Sequence, residues 1–152
     1  MAVTIGELAA VCTTGGLRHH LDAEEQVIRL MLGTKAYVNA RAERLAIVRI
    51  EAAAGGERCR VVLERAFTAG RHAAARCLAV CRATSDVPLV RLEHDPTSRS
   101  FRLVAEMPVE DAVVTARQLF ALLDRVVEAA EAGQRALASR GTGSKSSPSQ
   151  AA

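Results

Sequence analysis

LAIVRIEAAAGGERCRVVLERA, residues 45–66, is the stretch on which the fold turns. Apolar and polar side chains alternate on both sides of Gly55-Gly56, and a period of two sends successive side chains to opposite faces of an extended strand. The two glycines supply the positive φ that a tight hairpin needs. Residues 45–52 and 58–66 are therefore expected to pair antiparallel. Ala46, Val48, Ile50, Cys59, Val61 and Leu63 would share one face, and Arg49, Glu51, Arg60 and Glu64 the other. The first face should point to the core.

Upstream, residues 17–21 and 26–34 read as two more strands joined by a turn at 22–25, with a polar loop over 35–43. A first helix should start at Thr4-Ile5-Gly6-Glu7, which has the capping-box form, and stop at Gly15-Gly16. Downstream, a helix over 71–84 ends before Asp86-Val87-Pro88, because proline disfavours helical geometry in the residue before it. Strands follow at 89–94 and 100–107, joined by Asp95-Pro96-Thr97-Ser98-Arg99. Residues 110–138 carry Val113, Ala116, Phe120, Leu123, Val127 and Ala130 at spacings of three and four, which predicts a long amphipathic helix with Glu110 and Asp111 in its first turn.

The element order α-β-β-β-β-α-β-β-α predicts an α+β fold, an antiparallel sheet with helices packed on it. A chain of 152 residues, 49% hydrophobic and 24% charged, fits one globular domain over 1–138, and the small polar stretch 139–152 should be disordered. No basic segment followed by an apolar run opens the chain, and no stretch has the roughly 18 apolar residues of a membrane span. A cytoplasmic location with reduced thiols at Cys12, Cys59, Cys77 and Cys81 is expected.

Residues 41–82 hold nine arginines against four glutamates, whereas 110–131 hold five acids against two arginines. A nucleic-acid footprint competes here with a solvated strand face beside a complementary helix. The second reading is preferred, since the only aromatics are Tyr37, Phe67, Phe101 and Phe120, too few for a stacking platform.

The run His19-His20-Leu21-Asp22-Ala23-Glu24, followed by a strand ending in Gly33-Thr34, resembles the opening hairpin of the YbjN-like family. Leu92-Glu93-His94-Asp95-Pro96, followed by Glu106-Met107-Pro108-Val109-Glu110-Asp111-Ala112, resembles that family's last hairpin and entry into the final helix. The resemblance covers roughly residues 4–132 and implies the fold of class I type III secretion chaperones of the Tir-chaperone kind. It brings no catalytic motif. The sequence pI of about 8.9 separates this chain from the usually acidic chaperones.

Chemistry-bearing residues are sparse. Cys77 and Cys81 lie four apart on one helical face and would need two further ligands for zinc. His19 and His20, adjacent in a predicted strand, should point to opposite faces. Glu24-Glu25 and Glu110-Asp111 are carboxylate pairs without a positioned nucleophile. No phosphate loop, dinucleotide fingerprint or nucleophile elbow is present. No catalytic residue, cofactor or metal site is expected.

A non-catalytic, dimeric protein-binding module is expected instead, with a nucleic-acid-associated protein, acting through its arginine-rich middle or through a DNA- or RNA-binding partner, as the alternative. Strict alternation sends Val27, Met31, Ile47, Val62 and Val104 outward, an apolar set to be covered either by the final helix or a second copy, or by a partner. Val27, Met31, Ile47 and Val62, with Arg49 and Arg60, are the candidate partner-binding residues. Ala73, Ala74, Cys77, Leu78 and Cys81 are the candidate dimer contact, since their small side chains would let a second helix approach.

Overall fold

The structure, a computed structural model, describes residues 2–142. Its elements are α1 (Ile5–Thr14), β1 (His20–Asp22), β2 (Val27–Gly33), β3 (Leu45–Ala53), β4 (Arg58–Thr68), α2 (Ala73–Thr84), β5 (Val90–Asp95), β6 (Ser100–Pro108) and α3 (Ala116–Thr142). The fold is α+β in the expected order. The six strands form one antiparallel sheet, β1-β2-β3-β4-β6-β5. Among the described residues no helix is long and apolar enough to cross a membrane.

The central hairpin has the register that the alternation demands, with Val48 opposite Leu63, Ile50 opposite Val61 and Ala52 opposite Cys59. Gly55 and Gly56 carry φ of 67° and 90° in its turn. At Gly56 a Cβ would lie 2.3 Å from the Val3 carbonyl oxygen, while the Val3 N–H donates to the Gly56 carbonyl at 2.9 Å. The turn is thus clasped by the N-terminal segment.

All three helices feed one core. Leu8 and Cys12 of α1, Val80 of α2, and Leu119, Leu122, Val126 and Ala129 of α3 pack with Ile28, Val48, Ile50, Val61, Phe67 and Leu103 of the sheet. Val27, Val62 and Val104 belong to the opposite face and are outside that cluster. The final helix lies on the inner layer, against β4, β6 and α2, so it does not cover the outward face.

Three boundaries differ from the sequence reading by three residues or more. Strand β1 starts at His20, not residue 17, because Leu17 serves to finish α1. Its N–H donates to the Cys12 carbonyl and its own carbonyl meets His19 Nδ1 at 2.9 Å. Helix α3 starts at Ala116, not residue 110, because Asp111 and Ala112 take left-handed φ of 52° and 57°. Thr115 and Gln118 then form the capping pair, with the Gln118 N–H donating to Thr115 Oγ1 at 3.2 Å and the Thr115 N–H to Gln118 Oε1 at 2.9 Å. Glu110 and Asp111 are consequently outside the first turn, and the buried stripe runs through Leu119, Leu122, Val126 and Ala130, with Val113 exposed before the helix. At its other end α3 continues to Thr142, so 139–142 are helical; the rest of the stretch expected to be disordered, 143–152, lies outside the described residues.

The loop after β2 is anchored. Tyr37 is buried, donates its hydroxyl to the Ala66 carbonyl at 3.1 Å and meets Phe67 edge-on at 6.0 Å. Buried Glu131 of α3 accepts the N–H groups of Lys35 and Ala36. Backbone donors that would otherwise lack partners are thereby satisfied.

Gly133 of α3 marks the tightest helix contact, since a Cβ there would lie 2.6 Å from Phe67 Cζ and 3.2 Å from Val80 Cγ1. Gly133→Ala should gain about 1 kcal/mol of helix propensity and lose more through overpacking a buried ring, a net cost of about 1–2 kcal/mol. A lowered melting temperature is the expected outcome, and an unchanged or raised one would contradict this packing.

Candidate functional site

Registers on the outward face align its residues in rows across the sheet. Arg29, Arg49, Val62, Val104 and Arg91 are consecutive cross-strand partners, and Glu51, Arg60 and Glu106 form the next row. The charges close on one another. Glu64 pairs with Arg49 at 2.9 Å, Arg49 with Glu51 at 3.3 Å, Glu51 with Arg60 at 3.1 Å and Arg60 with Glu106 at 3.4 Å. Glu106 pairs with Arg91 at 2.8 Å, Arg91 with Glu93 at 2.7 Å, Glu93 with Arg102 at 2.7 Å, and Arg102 returns to Glu64 at 3.7 Å.

Four arginines and four glutamates thus make a closed ring of alternating sign. Val62 and Val104 pair at its centre and are each 1% exposed, with Arg49 and Arg91 as their cross-strand neighbours, arginines whose aliphatic stems can cover apolar surface. An isolated surface ion pair contributes about 0–1 kcal/mol, whereas a network with a buried member holds its geometry and does more. Glu106 is that member. It also receives Arg58 at 3.0 Å.

The ring corrects three of the expected partner-binding residues. Arg49 and Arg60 are committed to carboxylates within the sheet, and Val62 is buried beneath the ring. Val27 is buried as well. What remains open is Met31, 67% exposed, and its cross-strand partner Ile47, 44% exposed.

These two side chains floor a groove of 410 Å³ lined also by Arg18, His19, His20, Arg29 and Leu30. Ile47 continues into a second groove of 220 Å³ bounded by Tyr37, Asn39, Arg41, Glu64 and Arg65. Arg65 reaches it from a β-bulge between Leu63 and Phe67, where its φ is 48°. Asn39 shapes the facing wall, its Oδ1 accepting the N–H groups of Arg41 and Glu43. Arg18, Arg41 and Arg65 make no ion pair among the described residues, in contrast to the ring arginines. Adjacent histidines were expected on opposite faces, yet His19 precedes β1 and both line the same groove. Bulge and loop geometry, absent from a period-two pattern, are what bring Arg65 and Arg41 there.

Elsewhere the chemistry-bearing residues come together only as pairs, such as Cys77 and Cys81 of α2, whose Sγ atoms are 3.9 Å apart. Among the described residues no three His, Cys, Asp or Glu side chains are placed to hold a metal ion. Glu24 and Glu25 sit in a turn in which Asp22 Oδ1 accepts both their N–H groups, and Arg29 pairs with Asp22 and Glu25. On α2, Ala74, Leu78 and Cys81 face outward, whereas Ala73 and Cys77 are half-buried against the core, which removes those two from the open side of the expected dimer contact. Tyr37, Phe67 and Phe101 are buried and offer no stacking surface to a base. No family model, no curated protein and no solved structure matches this chain.

Burial works to raise the Glu106 carboxyl, but hydrogen bonds from Arg91 and Arg58 and the charges of Arg60 and Arg91 outweigh it and hold the group at about 2. Its ordinary value is 4.5, so the unfolded chain takes up the proton first. The stabilisation is complete above about 4.5 and is lost as pH falls toward about 2. Glu106→Gln should lower the melting temperature at neutral pH and flatten its acid dependence over that interval. Parallel curves for variant and wild type would contradict the assignment.

Proposed function

We propose that this chain is a non-catalytic protein-binding module, acting in the cytoplasm, that holds an extended segment of a partner over Met31 and Ile47. One observation carries the reading: the outward face neutralises its own charge around the ring, whereas Arg18, Arg41 and Arg65 beside the apolar grooves hold no carboxylate among the described residues. An apolar floor and unpaired arginines suit a segment with apolar anchors and acidic flanks.

Backbone geometry supports the same occupant. Strand β1 pairs only with residues 27–29 of β2, which leaves the edge of β2 beside Met31 without a partner strand among the described residues. An extended segment can add there through main-chain hydrogen bonds while its alternate side chains reach the groove. The resemblance to the YbjN-like and secretion-chaperone-like proteins agrees with such a role. A second copy is the natural cover for the exposed Ala74, Leu78 and Cys81 stripe of α2.

Met31→Asp and Ile47→Asp should leave circular dichroism and melting close to wild type but weaken partner retention from nuclease-treated native lysate by about tenfold or more, about 1.4 kcal/mol. Leu89→Asp, an exposed apolar site at the other end of the sheet, should retain it. Loss in all three variants, or capture that nuclease abolishes, would overturn the groove reading, the latter in favour of nucleic acid. Light scattering should give about twice the chain mass of 16.2 kDa, and Leu78→Glu should return the monomer. A monomeric wild type across micromolar concentrations would remove the dimer.

A further inference from the structure

We propose that Cys77 and Cys81 form a two-thiolate site on α2 for a soft metal ion of low coordination number, represented by copper(I). Their Sγ atoms are 3.9 Å apart on successive turns of the helix, with Cys81 exposed and Cys77 half-buried. The site lies on α2 beside β5 and α3, away from the groove on β2 and β3, and shares Cys81 with the α2 stripe proposed above as the dimer contact.

Spacing decides what this pair can do. Residues four apart on a helix keep their Cβ atoms about 5–6 Å apart, whereas a disulfide needs about 3.5–4.5 Å. A direct S–S bond would therefore require the helix to unwind. A one-atom bridge would not. With metal–sulfur bonds of about 2.3 Å, sulfurs 3.9 Å apart subtend about 115° at the metal, close to the angle of a trigonal ion.

Donor chemistry narrows the ion further. Thiolates select soft cations such as copper(I), and oxygen-preferring ions gain little from them. Zinc asks for four donors, which no described cluster supplies. Cys77 also lines a 220 Å³ cavity with Ala73, Ala74, His94 and Phe101, which leaves room for a small external thiol as third donor.

Binding is a proton exchange without redox change. Both S–H bonds break, two S–Cu bonds form, the protons pass to solvent, and copper enters and stays as copper(I). The Cys81 thiol is pushed up by partial burial and then by the hydrogen bond and charge of Cys77, so the ion competes with protons there. The other two thiols are poorer candidates. Cys12 and Cys59 are buried in the core, and burial, with the charge of Cys12, pushes Cys59 up to about 12.

The test is an anaerobic titration of the reduced full chain with copper(I) against a chromophoric copper(I) chelator. Expected is one tightly held equivalent per chain. Cys77→Ser and Cys81→Ser should each weaken it by more than the roughly 10–100-fold typical of losing an outer-shell partner. Cys12→Ala should hold the ion as wild type does, with folding of every variant followed by circular dichroism. Failure of the wild type to compete, or undiminished retention in the double serine variant, would overturn the site. Saturation at half an equivalent per chain would also overturn it, by placing the ion between two copies.

Discussion

A ring of alternating charges, closed on itself over β3, β4, β6 and β5, is what allows this sheet to carry helices on one side only. Strands with Val62 and Val104 on the outer face ordinarily require a second apolar layer. Here the arginine stems supply it. Each guanidinium stays in place because it faces two carboxylates, and each carboxylate two guanidiniums, so the cover is held by mutual pairing and not by packing from above. The helices are released to share the inner face, where α1, α2 and α3 build one core. With the ring neutral, any charge outside it becomes conspicuous.

That division also explains which parts of the architecture were legible in the residue order. Strong period-two alternation with a Gly-Gly turn specifies both pairing and facing, and the hairpin of β3 and β4 follows from it directly. The capping box at Thr4 and Glu7 does the same for α1. Where the pattern misled, a local bond competed with periodicity. The apolar residues before α3 read as helix, yet two left-handed residues and the Thr115–Gln118 cap delay its start. Alternation likewise assigned Val62 correctly to the outer face but said nothing of the cover above it, since the ring closes only through pairs between strands, whose proximity depends on strand order. The groove was half legible: Met31 and Ile47 follow from alternation, whereas Arg18, Arg41 and Arg65 arrive from a helix exit, a loop and a bulge, in that order.

The groove and the core are mechanically related. Tyr37 and the 34–44 segment form its wall, and that wall is fastened from beneath by the Glu131 carboxylate of α3 and by the Ala66 carbonyl of β4. A binding surface resting on the sheet is thus braced by the helix on the sheet's other side. Such bracing keeps an open groove from collapsing onto its own apolar floor, and it limits the ordering cost when a segment enters.

The closed circuit has a consequence for divergence. No member of the ring can change sign alone without leaving two neighbours uncompensated over buried valines, so substitutions there must come in compensating sets, and the face drifts slowly. Met31 and Ile47 carry no charge of the circuit, and among the described residues Arg18, Arg41 and Arg65 hold no carboxylate, so each can be replaced singly at little structural cost. Descendants of one ancestral chain could therefore exchange clients by point changes around the groove while inheriting the ring intact, with recognition evolving on a clock separate from that of the scaffold.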